Sequence, residues 1–264
     1  LGNSGRVVVR YSGTELLARV MVEAELAADV EQNASAIVRA FEQNEFILFS
    51  QSIVKLAATE DKRAHFEIFV RLQAEEKHLI PPGSFLEALE ELNLGPQLDR
   101  YVVRKLLQWQ HALPPAQRGV AHLNLCASTL DDPEFSAYVG KLLAKNRIGP
   151  DILCFEFPGH EANYPAGAAT LAESLRKVGC RISVGAMDDD SIPFRMLKAL
   201  NANVLKIGGR LVRELADSEE TAAEVKAAAV ACRAINVLSI AQGVESAPTL
   251  KALRTLDVNY AQGY

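Results

Sequence analysis

Cysteine is scarce in this sequence of 264 residues, and neither a long apolar run nor a strongly basic segment is present. The four cysteines lie far apart, without a CxxC pair and without a histidine at the spacing of a metal site: Cys126, Cys154, Cys180 and Cys232. This pattern excludes a disulfide framework and a thiolate metal centre, and it predicts buried free thiols.

No stretch reaches 18 consecutive apolar residues, and the first residues lack the charged-then-apolar order of a signal peptide. We therefore expect that the protein is neither inserted into a membrane nor secreted. The expected location is the cytoplasm. The 28 basic and 33 acidic residues give a net charge of −5, with no Lys/Arg-rich run. Duplex DNA is thus an unsuitable partner, because its phosphate backbone requires clustered cations. The 49% hydrophobic content is sufficient for a sizeable core.

Residues 1–44 differ from the rest of the chain in their pattern of apolar residues. A short β-like run, Val7 to Tyr11, precedes a proline-free stretch from Thr14 to Asn44 whose apolar residues recur at helical spacing, with Thr14 as a plausible N-cap. We interpret this part as the tail of an upstream domain followed by a connector helix, and residues 45–264 as one further domain. The chain is accordingly expected to belong to a larger multidomain protein.

From Phe46 onward, eight short apolar runs alternate with helix-length segments. The runs are 46–56, 65–72, 119–127, 152–157, 181–187, 204–209, 236–244 and 258–264, and the helical segments are 96–110, 133–146, 165–178, 218–235 and 247–256. This alternation predicts an α/β fold of the (β/α)₈ barrel type. Only the eight residues 57–64 join the first two runs, too few for a parallel crossover, so the first strand should run antiparallel to its neighbour.

Polar side chains lie inside or at the end of most of these runs, where a barrel of this type gathers its chemistry. They are Gln51, Glu67, Arg71, Asn124, Glu156, Asp188, Asp189, Lys206, Gln242, Glu245 and Gln262. A charge in an apolar strand must be paired or metal-bound when it is buried. Converging carboxylate and amide oxygens suit divalent cations, and accompanying basic groups suit phosphates.

The ordered motifs EIFVR, LNLCA, CFEF, MDD, LKI, AQGVES and QGY resemble those of the EAL domain family. That family hydrolyses the bacterial second messenger cyclic-di-GMP on a barrel with an antiparallel first strand. Its active members read ExLLR, NxS, ExTE, DDFGTG, LKID and AEGVE, and they use two metal ions to activate a water. The resemblance implies that Glu67, Asn124, Glu156, Asp188 and Asp189 occupy metal-site positions and that Lys206 occupies a catalytic position.

Four places depart from the active pattern. Gly159 replaces the second Glu of ExTE, Gly208 replaces the Asp of LKID, and Gln242 replaces the first Glu of AEGVE. The loop motif DDFGTG becomes the sequence at 188–193, and the segment after it is shortened. Losing anionic ligands weakens the binding of strongly hydrated Mg²⁺. The resemblance therefore implies vestigial metal and catalytic positions, no required cofactor and no catalysis.

A domain that has lost its metal ligands can still retain the residues that bind the ligand. Arg71 provides a planar fork for a phosphate, and Phe69, on the same side of its strand, provides a flat face for a guanine. The resemblance adds Gln51, Asp188, Glu245 and Gln262 as ligand-binding candidates. Asp99, in the helical segment after the Pro81-Pro82-Gly83 turn, is a further candidate because its carboxylate can accept from the edge of a guanine. Cyclic-di-GMP is the expected ligand.

Within the family, the EIFVRL segment and the altered loop most resemble the FimX-type receptors, which bind cyclic-di-GMP without cleaving it and engage a PilZ-domain adaptor in control of type IV pili. The favoured hypothesis is a non-catalytic receptor. Two alternatives stay open: a slow Mg²⁺- or Mn²⁺-dependent phosphodiesterase that produces pGpG, and a scaffold that binds no nucleotide.

Overall fold

Eight strands close into a barrel that helices surround. The structure is a computed structural model that describes residues 37–57, 59, 61–73, 79–80, 85–158, 167–185 and 193–263. The strands are β1 (Phe46–Lys55), β2 (His65–Gln73), β3 (Leu79–Ile80), β4 (Val120–Asn124), β5 (Leu153–Phe157), β6 (Arg181–Val184), β7 (Val204–Ile207), β8 (Leu238–Ala241) and β9 (Tyr260–Ala261).

The barrel closes through its reversed first strand, as predicted. β1 pairs antiparallel with both β2 and β9, whereas β2 and β4 to β9 follow one another in parallel around the barrel. The two-residue β3 pairs antiparallel with β2 outside the closed ring. Both the (β/α)₈ fold class and the antiparallel first strand are therefore confirmed.

The helices follow the strands with short connections. They are α1 (residues 37–43), α2 (Leu86–Glu91), α3 (Gly95–Ala112), α4 (Phe135–Asn146), α5 (Ala168–Val178), α6 (Phe194–Ala199), α7 (Arg210–Arg213), α8 (Glu219–Ala234) and α9 (Ala247–Thr255). Five correspond to the predicted helical segments. The others in the barrel, α2, α6 and α7, have four to six residues, too few to show a helical period in the sequence.

Two layers of side chains build the core, because successive strand residues point to opposite faces. The larger layer lies between the strands and the helices and contains Ile182, Leu205 and Ala241. A smaller layer fills the inside of the barrel with Ile53, Val120, Cys154, Val204, Ile240 and Tyr260. The interior above this apolar layer is polar, which concentrates hydrogen-bonding groups along the barrel axis.

Helix α1, at the end of the predicted connector, packs on the barrel. Ile37 and Ala40 are buried against Phe46, Phe85 and other residues at the rim. The domain boundary at residue 44 stays a prediction, and the expected strand and helix within residues 1–36 lie outside the described residues. Within the described part, no helix is both long and apolar enough to cross a membrane. All four cysteines are free and buried, as predicted.

Candidate functional site at the carboxyl ends of the strands

The strand register brings the polar residues of separate motifs to one end of the barrel. Gln51 lies opposite Glu67 across the β1 and β2 pair, and Asn124 lies beside Glu156 across the β4 and β5 pair. Lys206 enters from β7 on the other side of the interior. Because the parallel strands share one direction, these side chains converge at the mouth formed by their carboxyl ends.

Lys206 links the two carboxylates of this mouth. Its Nζ lies 2.9 Å from Glu67 Oε2 and also contacts Glu156 Oε2. The Lys206 side chain is fully buried, and those of Glu67 and Glu156 are 3% and 15% exposed. Two carboxylates therefore share one ammonium in a poorly solvated place, which leaves the trio with one excess negative charge.

Amide groups complete the hydrogen bonds of Glu67. Asn124 Nδ2 donates to Oε1 at 2.8 Å, Gln262 Nε2 donates to Oε2 at 2.7 Å, and Gln242 Nε2 reaches Oε2 at 3.5 Å. Gln262 Nε2 also lies 2.8 Å from Gln51 Oε1. The amide at position 242 thus supplies a donor to Glu67 where a carboxylate would repel it.

Burial and shared charge determine the protonation behaviour of the trio. Burial raises the pKa of Glu156, and the nearby charge of Glu67 adds to the rise, although Lys206 opposes both. Burial disfavours the charged form of Lys206, but attraction from Glu156 and Glu67 outweighs it and raises the lysine pKa. The ammonium is therefore held charged, and burial favours the protonated form of Glu156.

Two glycines leave the room that this arrangement needs. A Cβ at Gly185, just after β6, would come within 2.7 Å of Glu156 Oε1. A Cβ at Gly263 would collide with the backbone of Val244, where the chain after β9 runs against the loop after β8. This close approach lets the Val244 N–H bond the Gln262 carbonyl at 2.9 Å and fixes the position of Gln262.

Higher on the same face of β2, Phe69 and Arg71 form a pair at the rim. The Arg71 guanidinium carbon lies 5.9 Å from the centre of the Phe69 ring, and Nη1 donates to the Val70 carbonyl at 2.9 Å. Within the described part of the chain, Arg71 has no carboxylate partner. Most of its N–H donors therefore stay available at the mouth.

Phe49 is a residue that the sequence analysis did not single out. It lies directly opposite Phe69 across the antiparallel pair and is 44% exposed. Paired residues of antiparallel strands point to the same face, so two aromatic side chains stand side by side above Gln51 and Glu67. The signal was present in the sequence, since Phe49 precedes Gln51 by two residues and shares its side of β1.

Two other candidate residues lie in different surroundings. Asp99 on α3 is buried, and its Oδ2 accepts from the Cys126 backbone N–H at 2.9 Å, after the end of β4. Burial raises its pKa to about 7. In this conformation Asp99 supports the loop after β4, and its contact with a ligand stays a prediction. Glu245, after β8, is exposed at residue level, and its role likewise stays a prediction.

A family model described as the EAL domain matches residues 34–264, which includes the whole barrel and every motif described above. The chain belongs to the EAL domain family. A second model, the C-terminal domain of phosphoglucomutase/phosphomannomutase, matches residues 1–40, almost all of which lie outside the described part.

Solved EAL domains share this fold. The chain is similar to the FimX EAL domain of Pseudomonas aeruginosa bound to c-di-GMP, with 27% identity and a TM-score of 0.80 over 88% of this chain and 93% of that one. The FimX EAL domain of Xanthomonas citri, in complex with c-diGMP, has 19% identity and a TM-score of 0.77 over 91% of this chain and 94% of that one, a likeness of fold alone.

Curated relatives of this EAL domain are named as enzymes. The cyclic di-GMP phosphodiesterase PdeB of Shewanella oneidensis is 30% identical over 88% of this chain, and PdeF of Escherichia coli is 29% identical over 86%. The chain spans only 27% and 30% of the lengths of these two proteins.

Of the five predicted metal-site residues of this EAL domain, the structure describes Glu67, Asn124 and Glu156. No group of three or more His, Cys, Asp or Glu side chains able to hold a metal occurs in the described ranges. Glu67 and Glu156 are the carboxylates that converge there, and both already contact Lys206. Gly159, Asp188 and Asp189 lie outside the described residues, so their predicted positions in the site stay predictions.

Proposed function

We propose that this EAL domain is a receptor that binds cyclic-di-GMP at the mouth of its barrel without hydrolysing it. The observation that carries the proposal is that Glu67 and Glu156 both contact Lys206. At position 242 an amide, rather than a carboxylate, lies next to Glu67. Two metal ions stabilise a phosphodiester transition state through anionic ligands. Among the described residues of this mouth, the converging carboxylates Glu67 and Glu156 already share the Lys206 ammonium. The proposed receptor therefore neither cleaves its ligand nor needs a metal ion to bind it.

The rim supports binding of a dinucleotide. The fork of Arg71 is suited to a phosphate, and the neighbouring ring of Phe69 is suited to a purine base. The similarity to the P. aeruginosa FimX domain, whose structure contains c-di-GMP, supports the same ligand here. Gln51, Gln262, Asp99, Asp188 and Glu245 stay as proposed ligand contacts.

The route of the output signal is part of the proposal. Ile37 and Ala40 pack in the same cluster as Leu72, which follows Arg71 in the chain and lies opposite Phe46. A ligand that orders the end of β2 would therefore act on the connector helix through direct packing. A PilZ-domain adaptor in type IV pilus control is the proposed partner, and upstream domains are the other recipient.

Isothermal titration with cyclic-di-GMP in EDTA tests the receptor proposal. Binding should persist in the chelator, and Arg71→Ala should lose about 1.5–3 kcal/mol because a charge-assisted hydrogen bond is removed. Arg254→Ala, at an exposed position on α9, serves as the matched control and should bind as the wild type does. Loss of wild-type binding in EDTA would contradict metal-independent recognition.

A metal-dependent phosphodiesterase is the second candidate function. Retention of Glu67, Asn124, Glu156 and Lys206 in one cluster, and the names of the curated relatives, favour it. A hydrolysis assay with Mn²⁺ distinguishes the two functions. Formation of pGpG at about 1 s⁻¹ or faster, a rate usual for enzymes, would replace the receptor proposal with this one.

A further inference from the structure

The opposite end of the barrel contains a polar cavity. It has a volume of about 920 Å³ and is lined by Lys62, Arg63, Arg181, Asn203, Arg233 and Asn236, among others. Arg181 is the first residue of β6, and Asn203 immediately precedes β7. The cavity therefore lies at the amino ends of the parallel strands, remote from the mouth that holds Lys206.

Asp61 organises the cations of this cavity. The Nε and Nη2 atoms of Arg63 both donate to its carboxylate at 2.9 Å, and Arg181 Nη2 donates to Oδ2 at 2.7 Å. His65 Nε2, buried inside the barrel, lies 3.6 Å from the same oxygen and has no hydrogen-bond partner among the described residues. Asp61 thus holds two guanidinium groups in fixed places at the cavity wall.

Cations exceed carboxylates around the cavity. Arg63 also pairs with Asp151 at 2.7 Å, and Arg233 pairs with Asp257 at 3.0 Å. Four basic side chains therefore face three carboxylates, and Lys62 has no ion pair with any described residue. The described hydrogen bonds of Arg181 use Nη2 alone, which leaves Nε and Nη1 as free donors.

Amide side chains add neutral donors to the wall. The Asn203 Oδ1 atom accepts from the Ile182 backbone N–H at 2.9 Å, which fixes the side chain and leaves its Nδ2 without a described acceptor. Asn236 has no described side-chain hydrogen bond. A cavity of this volume is within the usual range for small-molecule sites, about 300–1,000 Å³. Guanidinium forks with fixed amides recognise phosphate oxygens in particular.

From this geometry we infer a second ligand site, at the amino ends of the strands, for a small molecule that carries a diphosphate or triphosphate group. Lys62 and Arg233 provide exposed positive charge, while Arg181 and Asn203 provide donors that hydrogen bonds hold in place. The inference is independent of the proposed cyclic-di-GMP site, because no residue is shared between the two ends.

Titration of the whole chain with inorganic pyrophosphate at low salt tests this site. The double variant Lys62→Gln/Arg233→Gln should weaken binding by about tenfold, as expected for two partly exposed cations. The control Arg213→Gln/Lys226→Gln removes the same charge at exposed positions on α7 and α8 and should bind as the wild type does. Equal weakening in both variants, or no binding by the wild type, would overturn the inference.

Two further measurements locate the ligand and define its chemistry. Pyrophosphate should shift the side-chain NH₂ resonances of Asn203 and Asn236 and should bind with equal affinity to Arg71→Ala and in the presence of saturating cyclic-di-GMP. Displacement by cyclic-di-GMP would place pyrophosphate at the mouth and overturn the second site. Citrate should bind more weakly, and equal affinity for citrate would overturn the assignment to phosphates.

Discussion

The two ends of the barrel contain the same kinds of ionised groups in opposite proportions. At the mouth, Glu67 and Glu156 share the single ammonium of Lys206, and burial raises the pKa of Glu156. At the amino ends, hydrogen bonds from Arg63 lead the effects that hold the pKa of Asp61 well below its usual value, with Arg181 adding to them. The trio at the mouth has one more carboxylate than it has ammonium groups, whereas the cluster at the amino ends has one more cation than it has carboxylates.

This difference shows how one scaffold can present two kinds of surface. Strand register fixes which side chains meet, but the ratio of acids to bases among them decides which ligand charge is favoured. The mouth adds the aromatic side chains of Phe49 and Phe69 to its polar floor. Among the described residues that line the cavity at the amino ends, no aromatic side chain is present. Base stacking is accordingly expected only at the mouth.

Removing the shared cation should have the largest effect on the mouth. Lys206→Met leaves two buried carboxylates without compensation, and it should lower the free energy of unfolding by about 3–5 kcal/mol, as for one broken partner of a buried ion pair. Urea denaturation measures the loss. Lys198→Met, at an exposed position on α6, is the control and should change stability little. Adding Glu156→Gln to the first variant should restore part of the loss.

A stable Lys206→Met protein would contradict this account of the mouth, since it would show that Glu67 and Glu156 do not depend on the Lys206 ammonium for charge compensation. The double variant separates charge from packing. If the loss came only from the missing lysine stem, Glu156→Gln would recover nothing.

The corresponding change at the other end is Asp61→Asn, which leaves Arg63 and Arg181 without their common carboxylate. Loss of charge-assisted hydrogen bonds should cost about 2 kcal/mol at neutral pH. Asp217→Asn, at an exposed position, is the control. Because the folded pKa of Asp61 is lowered from its ordinary 3.8, this stability is present above that pH and is lost as the pH falls toward the lower folded value.

The pH series therefore tests Asp61 more specifically than a single measurement. The difference in unfolding free energy between wild type and Asp61→Asn should shrink below about pH 4, the ordinary range for an aspartate. A difference that stays constant down to acid pH would show that the variant acts through shape rather than charge.

His65, which is buried inside the barrel beside Asp61, should make the free energy of unfolding depend on pH. Burial is the main cause that lowers its pKa from 6.5 to about 4, with attraction to Asp61 opposing it. Between these two pH values the unfolded chain binds a proton that folded His65 does not. The free energy of unfolding should therefore fall as the pH falls from 6.5 to 4, by about 1.4 kcal/mol per pH unit for one proton.

His65→Gln should reduce that slope by the contribution of one group, as urea denaturation across this pH range would record. Buried His122, whose pKa burial also lowers, should maintain the remaining slope in the variant. Ser239→Ala, at a buried position on β8 without a titratable side chain, is the control and should keep the full wild-type slope. An unchanged slope in His65→Gln would contradict the neutral buried state of His65.

The sequence predicted the barrel and much of its mouth because both depend on local patterns. Alternation located all eight barrel strands, and the short link between residues 57 and 64 was sufficient to reverse β1. The polar residues Glu67, Asn124, Glu156 and Lys206 interrupt apolar strands, so their position in the interior was visible in advance.

The sequence did not allow us to predict contacts between strands that are distant along the chain. That Gln262 donates to both Glu67 and Gln51 depends on barrel closure over about 200 residues of separation. Asp99 was predicted to accept from a guanine edge, and its hydrogen bond from the Cys126 backbone N–H depends on the packing of α3, which the sequence does not show. The basic cavity was missed because Asp61, Arg181 and Asn203 lie in three segments that are distant along the chain, and none of these segments has an unusual sequence by itself.

The smallest expected effect concerns Phe49, which extends the aromatic surface beside Phe69. If a guanine of cyclic-di-GMP stacks there, Phe49→Ala should weaken binding by about 1 kcal/mol, the lower part of the range for base stacking on an aromatic ring. Trp109→Ala, which removes an exposed aromatic residue from α3 on the outside of the barrel, is the control. Calorimetric titration with cyclic-di-GMP and with pyrophosphate distinguishes the two ligand sites, because Phe49→Ala should lose affinity only for cyclic-di-GMP. Unchanged affinity for cyclic-di-GMP would restrict stacking to Phe69, and equal losses for both ligands would show that the two ends are not independent.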